Sequence, residues 1–253
     1  MSYLINNLDG NKNIRPLISL GAFSVYEYVE DRSVAPEYAA QAYFSSKMNV
    51  HKRQVVCDLS KSGVVCQAGA MHWSVGNVNM TSGVKGIGDF LGKSLKGKLT
   101  GESTLKPEFT GDGTLVLEPT FRHILLIDMS CWQDGLVVDD GMFLASELSV
   151  KNTLAHRQNL SSAAAGGEGL FNMCFEGNGV VCLESFVPQE ELIEIKLNND
   201  TLKVDGNFAV AWSKSLDFRV EKSSKTIVGS AMSGEGLVNV YRGTGRVLLA
   251  PVR

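Results

Sequence analysis

The residue patterns that mark common metal and nucleophile sites are missing from this chain. It contains four histidines, His51, His72, His123 and His156, and no two of them are separated by a single residue. A cupin-type metal site needs such a His-x-His pair, because two imidazoles must reach one ion from the same strand face. Cys-x-x-Cys, His-Glu-x-x-His and Gly-x-Ser-x-Gly spacings are also missing. We therefore predict no metal and no cofactor.

A nucleotide-binding loop is equally unsupported. The residues around Gly88, Lys93 and Ser94 resemble the end of a phosphate-binding loop, which needs four residues between its two glycines, the second of which directly precedes Lys-Ser. Three residues follow Gly88 before a glycine precedes Lys93, and five follow Gly86, so neither spacing fits. Without a catalytic constellation, the chain is predicted not to be an enzyme.

Charge and hydropathy exclude two further classes. The net charge is −3 and the pI is near 5.8, so no global positive field favours nucleic acid, and nucleic-acid binding is not expected. No apolar run approaches the roughly 20 residues of a membrane helix, and no secretory signal opens the chain. Five cysteines, mostly within apolar runs, are expected to be reduced core residues. These features predict a cytoplasmic protein.

Glycine, by contrast, is plentiful and periodic. The stretch from Phe109 to Pro119 returns as Phe175 to Ser185 and as Tyr241 to Pro251. Each copy has an aromatic residue, a Gly-x-Gly pair two positions later, and an apolar run ending in leucine. The copies are spaced by 66 residues. This periodicity predicts three internal repeats, roughly 50–119, 120–185 and 186–253.

Local patterns within the repeats indicate β-strands. Apolar residues alternate with charged ones at Ile193, Ile195 and Leu197, which places them on one face of a strand. Asp-Gly pairs and the Gly-x-Gly pairs supply turns in which a residue adopts positive φ. Short strands between such turns predict an all-β fold, either a β-sandwich or a double-stranded β-helix. Three copies suggest a pseudo-threefold arrangement.

Residues 1–49 lie outside the repeat and are predicted to form an N-terminal extension packed on a single three-repeat β domain of residues 50–253. Within the extension, Leu17 to Val29 has a β-like composition. Ser33 to Met48 is rich in alanine and has Pro36 near its start, which favours a short helix.

One segment departs from the β pattern. Between Gly83 and Leu99, apolar residues recur at helical spacing and lysines occupy other positions of the wheel. The functional interpretation is a surface that contacts an anionic lipid, an acidic partner or a phosphorylated ligand; the structural interpretation is a cap on the first β unit. The candidate surface-binding residues are Lys85, Phe90, Lys93, Lys96 and Lys98.

The order of these features resembles a known family. The basic stretch, Gly101-Glu102, the three Gly-x-Gly repeats and Gly234-Glu235-Gly236-Leu237 are similar to the altered-inheritance-of-mitochondria 24 family, over about residues 50–253. The resemblance implies the double-stranded β-helix of the tryptophan RNA-binding attenuator protein (TRAP), that is, a TRAP-like fold. Mitochondrial members are linked to inner-membrane organisation, whereas bacterial members have no settled activity, and no family catalytic residues carry over. We expect no inner-membrane placement here, because the sequence lacks a targeting segment.

Three functional hypotheses remain open. The leading one is a non-enzymatic scaffold or interaction protein with an unknown protein partner. The second is a small-ligand or RNA-binding module, and the third is a membrane-surface role through the basic amphipathic stretch. A homo-oligomer and a peripheral contact with an anionic membrane stay open as partners.

Overall fold

The computed structural model describes residues 3–82, 106–156, 171–222 and 237–252. Within these ranges the protein is all-β, with three antiparallel sheets and one short α-helix, α1 (Ala39–Lys47). Three single 3-10 turns accompany them, at Pro36–Tyr38, Met129–Cys131 and Gln189–Glu191. The all-β class predicted from the glycine and strand patterns is confirmed.

The first sheet, sheet A, joins the N-terminal region to the start of the repeats. Its strands, in spatial order, are β1 (Ile14–Leu20), β2 (Phe23–Tyr28), β3 (Arg53–Asp58), β8 (Thr114–Leu117) and β5 (Met71–Val75). The β1–β2 hairpin pairs with β3, so part of residues 1–49 enters this sheet as strands.

Sheet B has six strands. In spatial order they are β6 (Val78–Thr81), β7 (Glu108–Gly111), β4 (Val64–Cys66), β11 (Phe143–Glu147), β14 (Val180–Ser185) and β9 (His123–Asp128).

Sheet C has seven strands. In spatial order they are β12 (Val150–His156), β13 (Phe171–Gly177), β10 (Leu136–Val138), β16 (Ala209–Ser213), β18 (Leu237–Leu249) and β15 (Ile193–Asp205), with β17 (Asp217–Lys222) paired to β18.

Two of the three Gly-x-Gly pairs lie where the chain passes from one sheet to another. Gly111 ends β7 of sheet B before β8 enters sheet A, and Gly177 ends β13 of sheet C before β14 enters sheet B. The third pair differs from the predicted turn, because Gly243 lies inside the continuous strand β18. The first glycine of each pair nevertheless shares one backbone conformation, with φ of 121°, 100° and 120° at Gly111, Gly177 and Gly243. Positive φ is the conformation that glycine adopts without a side-chain clash.

The predicted Asp-Gly turns are also present. Gly135, Gly141 and Gly206 have φ of 92°, 74° and 62°. Each lies between two strands and is preceded by aspartate. The left-handed conformation of these glycines confirms the turn assignment made from the dipeptides.

Three hydrophobic clusters form the core. The first, with Phe23 and Phe109, lies between sheets A and B; the second, with Phe143 and Phe175, lies between sheets B and C. The third, with Trp212 and Tyr241, lies within sheet C. Sheet B is covered on both faces, and this explains the unbroken apolar run Ile124–Ile127 of β9, whose four residues alternate between the first and second clusters.

The cysteines follow the expectation with one exception. All five are free, and Cys57, Cys66, Cys174 and Cys182 are buried. Burial raises the pKa of the Cys66 thiol to about 12 and raises those of Cys57 and Cys182 well above their usual range. Cys131 corrects the prediction, because its 3-10 turn lies at the surface and leaves the residue exposed.

A buried carboxylate ties the N-terminal hairpin to the second sheet. Glu147, in β11, accepts a hydrogen bond from the backbone N–H of Ala22 at 2.8 Å and another from that of Val180 at 3.0 Å. The residue is only 8% exposed. A buried carboxylate is tolerated when its oxygens are hydrogen-bonded in this way.

The basic amphipathic stretch predicted as a binding surface lies outside the described residues. Lys85, Phe90, Lys93, Lys96 and Lys98 fall between residues 82 and 106, as does Gly101-Glu102. Their interpretation stays a prediction from the sequence. Among the helical residues that are described, none forms a segment long and apolar enough to cross a bilayer.

Candidate functional site

The candidate site is a cleft of 1210 Å³ between helix α1 and the end of sheet A where β2 and β3 pair. Its helix side carries Tyr38, Tyr43 and Lys47, and its sheet side carries Tyr28, Lys52 and Phe121. Aromatic rings therefore lie on both sides of the cleft.

The helix side follows from local sequence. Pro36 begins the 3-10 turn that leads into α1, where the fixed φ of proline suits a helix start, and alanines continue the helix. The helix lies within the stretch predicted to hold one. It ends at Lys47, with Met48 as the C-cap, and the chain then leaves the helical conformation because Asn49 adopts a φ of 61°.

No side chain of α1 is buried. Tyr43 is 58% exposed, Phe44 is 66% exposed, and Tyr38 just before the helix is 60% exposed. The rings of Tyr43 and Phe44 meet edge to face at 5.5 Å, and the Lys47 ammonium lies 5.3 Å from the centre of the Tyr43 ring. A helix this short gains little stability by itself in water, so its exposed aromatic face is a surface suited to contact with another molecule.

The sheet side combines charge with aromatic surface. The Lys52 ammonium lies 2.7 Å from the Asp31 carboxylate and 5.7 Å from the centre of the Phe121 ring. The hydrogen bond from Lys52 lowers the pKa of Asp31, because it stabilises the ionised carboxylate. Burial raises the pKa of the Tyr28 phenol, whose O–H donates to Gln54 at 2.5 Å.

Behind this surface lies a buried ion pair. Glu27 at the end of β2 is paired in register with Arg53 of β3, and their charged groups are 2.8 Å apart. Arg53 also reaches the carbonyl oxygens of His51, Phe121 and Arg122 at 3.3 to 3.5 Å. Arg15 contacts the second carboxylate oxygen of Glu27 at 2.7 Å. This network fixes the ends of β2 and β3 from which Tyr28 and Lys52 project.

The cleft combines exposed aromatic rings with charges of both signs, an arrangement that suits binding. In the part of the chain that the structure describes, no three His, Cys, Asp or Glu side chains converge to form a metal site. His72 is exposed and contacts the Gln54 amide at 3.1 Å. His123 is half-buried, and burial, followed by the charge of Arg53, lowers its pKa. Neither of these two imidazoles lines the cleft, whereas His51 does.

Sequence reasoning missed this cleft. It placed Tyr43 and Phe44 in a short helix but assigned them no binding role. The available signal was that these aromatics do not recur at a spacing that would bury one helix face, as a packed helix requires. The sheet side could not be anticipated, because Tyr28, Lys52 and Phe121 are distant in sequence and meet only after β2 and β3 pair.

Comparison with known proteins places the chain among relatives of its own length. It is 33% identical over 204 residues to an uncharacterized protein of Streptococcus pyogenes serotype M6, and the match covers 77% of this chain and 79% of that protein. The X-ray crystal structure of a protein from Streptococcus pyogenes superposes with a TM-score of 0.59 at 24% identity, covering 95% of this chain and 94% of that one. At this identity the structural likeness concerns the fold.

A family model agrees with the resemblance found from the glycine repeats and the Gly-Glu-Gly-Leu signature. The model described as "Mitochondrial biogenesis AIM24" matches residues 47–252, which is most of the chain. The protein therefore belongs to the AIM24 family.

Proposed function

We propose that this protein is a non-enzymatic scaffold that binds a segment of another protein in the cleft between α1 and sheet A. The observation that carries the proposal is the exposure of Tyr38 and Tyr43, which line this cleft, and of Phe44, whose ring contacts that of Tyr43; each is more than half accessible. Aromatic side chains are enriched at protein interfaces, where they supply much of the binding energy.

The size and composition of the cleft favour a peptide over a small molecule. Its 1210 Å³ exceeds the roughly 300–1,000 Å³ of most small-ligand pockets. Its walls offer separated aromatic surfaces and charges of both signs, since Lys47 lies on the helix and the Asp31–Lys52 pair on the sheet side. We expect the partner segment to place apolar side chains against Tyr43 and a carboxylate beside Lys47.

We also infer that the chain is built as a TRAP-like double-stranded β-helix of three repeats with pseudo-threefold character. The shared positive φ of Gly111, Gly177 and Gly243 supports this inference. So does the burial of the aromatic residue two positions before each of them, Phe109, Phe175 and Tyr241, all at most 1% exposed. A chain built from three such repeats would present a repetitive surface to a partner.

Site-specific photocrosslinking in the native host tests the scaffold proposal. A photoreactive residue at Phe44 should capture one protein reproducibly, whereas the same residue at Lys196, exposed on β15, should not. The captured protein is then purified, and its affinity is measured for the wild type and for Tyr43→Ala/Phe44→Ala. We expect the double substitution to weaken binding at least tenfold.

Two results would overturn the proposal. The first is equal capture from Phe44 and Lys196, or an affinity that does not change in the double variant. The second is turnover of a metabolite by the purified protein that is lost on substitution of cleft residues. The double variant must have a melting temperature close to that of the wild type, so that weaker binding is not caused by unfolding. We expect this because both side chains are exposed.

The basic amphipathic stretch supports a second candidate function, contact with an anionic membrane surface. Its lysines and the apolar residues Ile87, Phe90, Leu91 and Leu95 follow the pattern of helices that lie at the bilayer interface. Flotation with phosphatidylserine vesicles should be lost in Lys93→Glu/Lys96→Glu if this candidate is correct. Unchanged flotation, or recovery of the native protein in the cytoplasmic fraction alone, would reject it.

A further inference from the structure

Two pairs of strands within the chain, β11 with β4 and β16 with β10, pair in the same register. β11 pairs with β4, with Ala145 opposite Cys66 and Ser146 opposite Val65. β16 pairs with β10 in the corresponding way, with Ala211 opposite Val138 and Trp212 opposite Val137. Both contacts are antiparallel, and both continue a sheet from one part of the chain into the next.

The strands that take the β11 role can be aligned through their partners. Met71 of β5, Phe143 of β11 and Ala209 of β16 lie opposite the equivalent leucines Leu117, Leu183 and Leu249. Each of the three strands has its register shift immediately after that pair. Trp73 of β5 is therefore equivalent to Ala145 and Ala211.

The strands that take the β4 role align in the same manner. Val64 of β4, Leu136 of β10 and Leu202 of β15 lie opposite the aromatic residues Phe109, Phe175 and Tyr241. The segment of β15 from Leu202 to Val204 is therefore equivalent to the whole of β4 and of β10.

The third pairing of this kind is missing between these two described segments. β5 forms one edge of sheet A and pairs with β8, whereas β15 pairs with β18. All five residues of β11 and of β16 are buried, whereas β5 contains no buried residue and Met71 is 40% exposed. Among the described residues, the difference in burial marks β5 as the strand of this kind that has no neighbour on that side.

We propose that a second copy of this chain supplies that neighbour. β5 of one protomer pairs antiparallel with the Leu202–Val204 segment of β15 of the next. By the register of the two internal pairings, Trp73 lies opposite Val204, Ser74 opposite Lys203, and Val75 opposite Leu202. The contact is head to tail, so each added protomer presents a new β5 or β15 edge.

This assembly is independent of the peptide-binding proposal, because it rests on the register and burial of β5 and β15, and no residue of these two strands lines the cleft. Failure of the crosslinking test at Phe44 leaves it standing, and its own failure leaves the cleft unaffected. Strand addition of this type gains backbone hydrogen bonds and covers the partly exposed Trp73 and Leu202.

Disulfide trapping between two different protomers tests the register. In a Cys131→Ser background, which removes the exposed native thiol, one preparation carries Ser74→Cys and the other Lys203→Cys. Mixing under mild oxidation should give a covalent heterodimer. Lys196→Cys in place of Lys203→Cys is the off-register control, since it lies in the same strand and is also exposed, and it should give at least tenfold less.

The same pair of substitutions in one chain distinguishes the alternatives. A disulfide that forms within single protomers, with no heterodimer in the mixture, would show that β5 and β15 close on each other in one chain and would overturn the proposal. A mixture that gives no more heterodimer than the Lys196→Cys control would overturn it as well.

Native mass spectrometry over a range of protein concentrations provides the second measurement. We expect dimers or longer assemblies of the wild type, and their loss in Trp73→Lys, because a charge on an edge strand opposes strand addition. Met80→Lys is the control, since Met80 is a 64% exposed apolar residue on β6. A wild type that stays monomeric at every concentration would contradict the proposal.

Discussion

The carboxylate of Glu27 lies 2.8 Å from the guanidinium of Arg53, and the two side chains are 3% and 4% exposed. Removing one member of such a pair leaves the other as an uncompensated buried charge. We expect Glu27→Gln to lower the free energy of unfolding by about 3–5 kcal/mol. Urea denaturation followed by circular dichroism measures this change.

The exposed pair Glu30–Arg32 provides the matched control. Its side chains are 58% and 74% exposed, so Glu30→Gln should change the free energy of unfolding by no more than about 1 kcal/mol. Equal effects of Glu27→Gln and Glu30→Gln would show that burial does not strengthen the Glu27–Arg53 contact.

The corner glycine of β7 is expected to resist substitution. At Gly111 a Cβ atom would lie 2.0 Å from the backbone oxygen of Asn77, and φ is 121°. At Gly69 φ is also positive, but a Cβ would meet nothing within 4 Å. Gly69→Ala should therefore cost about 1–2 kcal/mol for the backbone conformation alone, and Gly111→Ala more than about 3 kcal/mol because the backbone must also move.

Thermal unfolding of the two glycine variants measures the difference. If Gly111→Ala proved no more destabilising than Gly69→Ala, the close approach of Asn77 to Gly111 would be incorrect.

Thiol reactivity should separate one cysteine from four. Cys131 is exposed, whereas Cys57, Cys66, Cys174 and Cys182 are buried with raised thiol pKa values. A thiolate is the reactive form, so we expect a disulfide reagent at pH 8 to modify about one thiol rapidly in the folded protein. All five cysteines should react in guanidinium chloride.

Cys131→Ser is the control for this assignment. It should abolish the rapid phase and leave the four slow thiols unchanged. Rapid reaction of a second cysteine in the folded protein would contradict the burial of the core thiols.

His123 should make stability depend on pH. Burial, followed by the charge of Arg53, lowers its pKa, although Glu191, Glu27 and Glu190 act in the opposite direction. The unfolded chain then binds a proton more readily than the folded protein does. The resulting stability is complete above the unfolded histidine pKa of about 6.5 and is lost as pH falls toward the lower folded value.

Urea denaturation between pH 5.5 and 7.5 tests this sign. The free energy of unfolding of the wild type should rise with pH across that range, and the rise should be smaller in His123→Gln. His72→Gln, which removes an exposed imidazole, is the control. A wild-type stability that falls with rising pH, by an amount that His123→Gln removes, would show that the pKa of His123 is raised.

The parts of the fold that could be predicted from the sequence are those determined by residues close together in the chain. Aspartate precedes Gly135, Gly141 and Gly206, and an Asp-Gly pair is typical of turns in which the glycine adopts positive φ. These turns could therefore be predicted from two adjacent residues. The helix within Ser33–Met48 follows from proline and alanine in the same way. The third Gly-x-Gly pair was misassigned as a turn, because the chain there continues in the same sheet and no nearby residue signals this.

Contacts between segments distant in the sequence could not be predicted, for a physical reason. Glu27 and Arg53 are charged residues in strands, and an isolated sequence gives no distinction between a solvated charge and one that a partner strand covers. The same holds for Glu147, whose two donors lie at Ala22 and Val180. The cleft depends on these long-range pairings and so could not be predicted either.

The hydrogen bond between Glu147 and Ala22 also limits how the protein can be divided. The family match begins at residue 47, which invites expression of the repeats without the residues before it. Such a fragment would retain the Glu147 carboxylate but lose the Ala22 N–H that donates a hydrogen bond to it. It would also expose the edge of β3 with which β2 pairs. The N-terminal hairpin is therefore part of the folded β domain. We expect a fragment that begins at residue 47 to be less stable than the full chain.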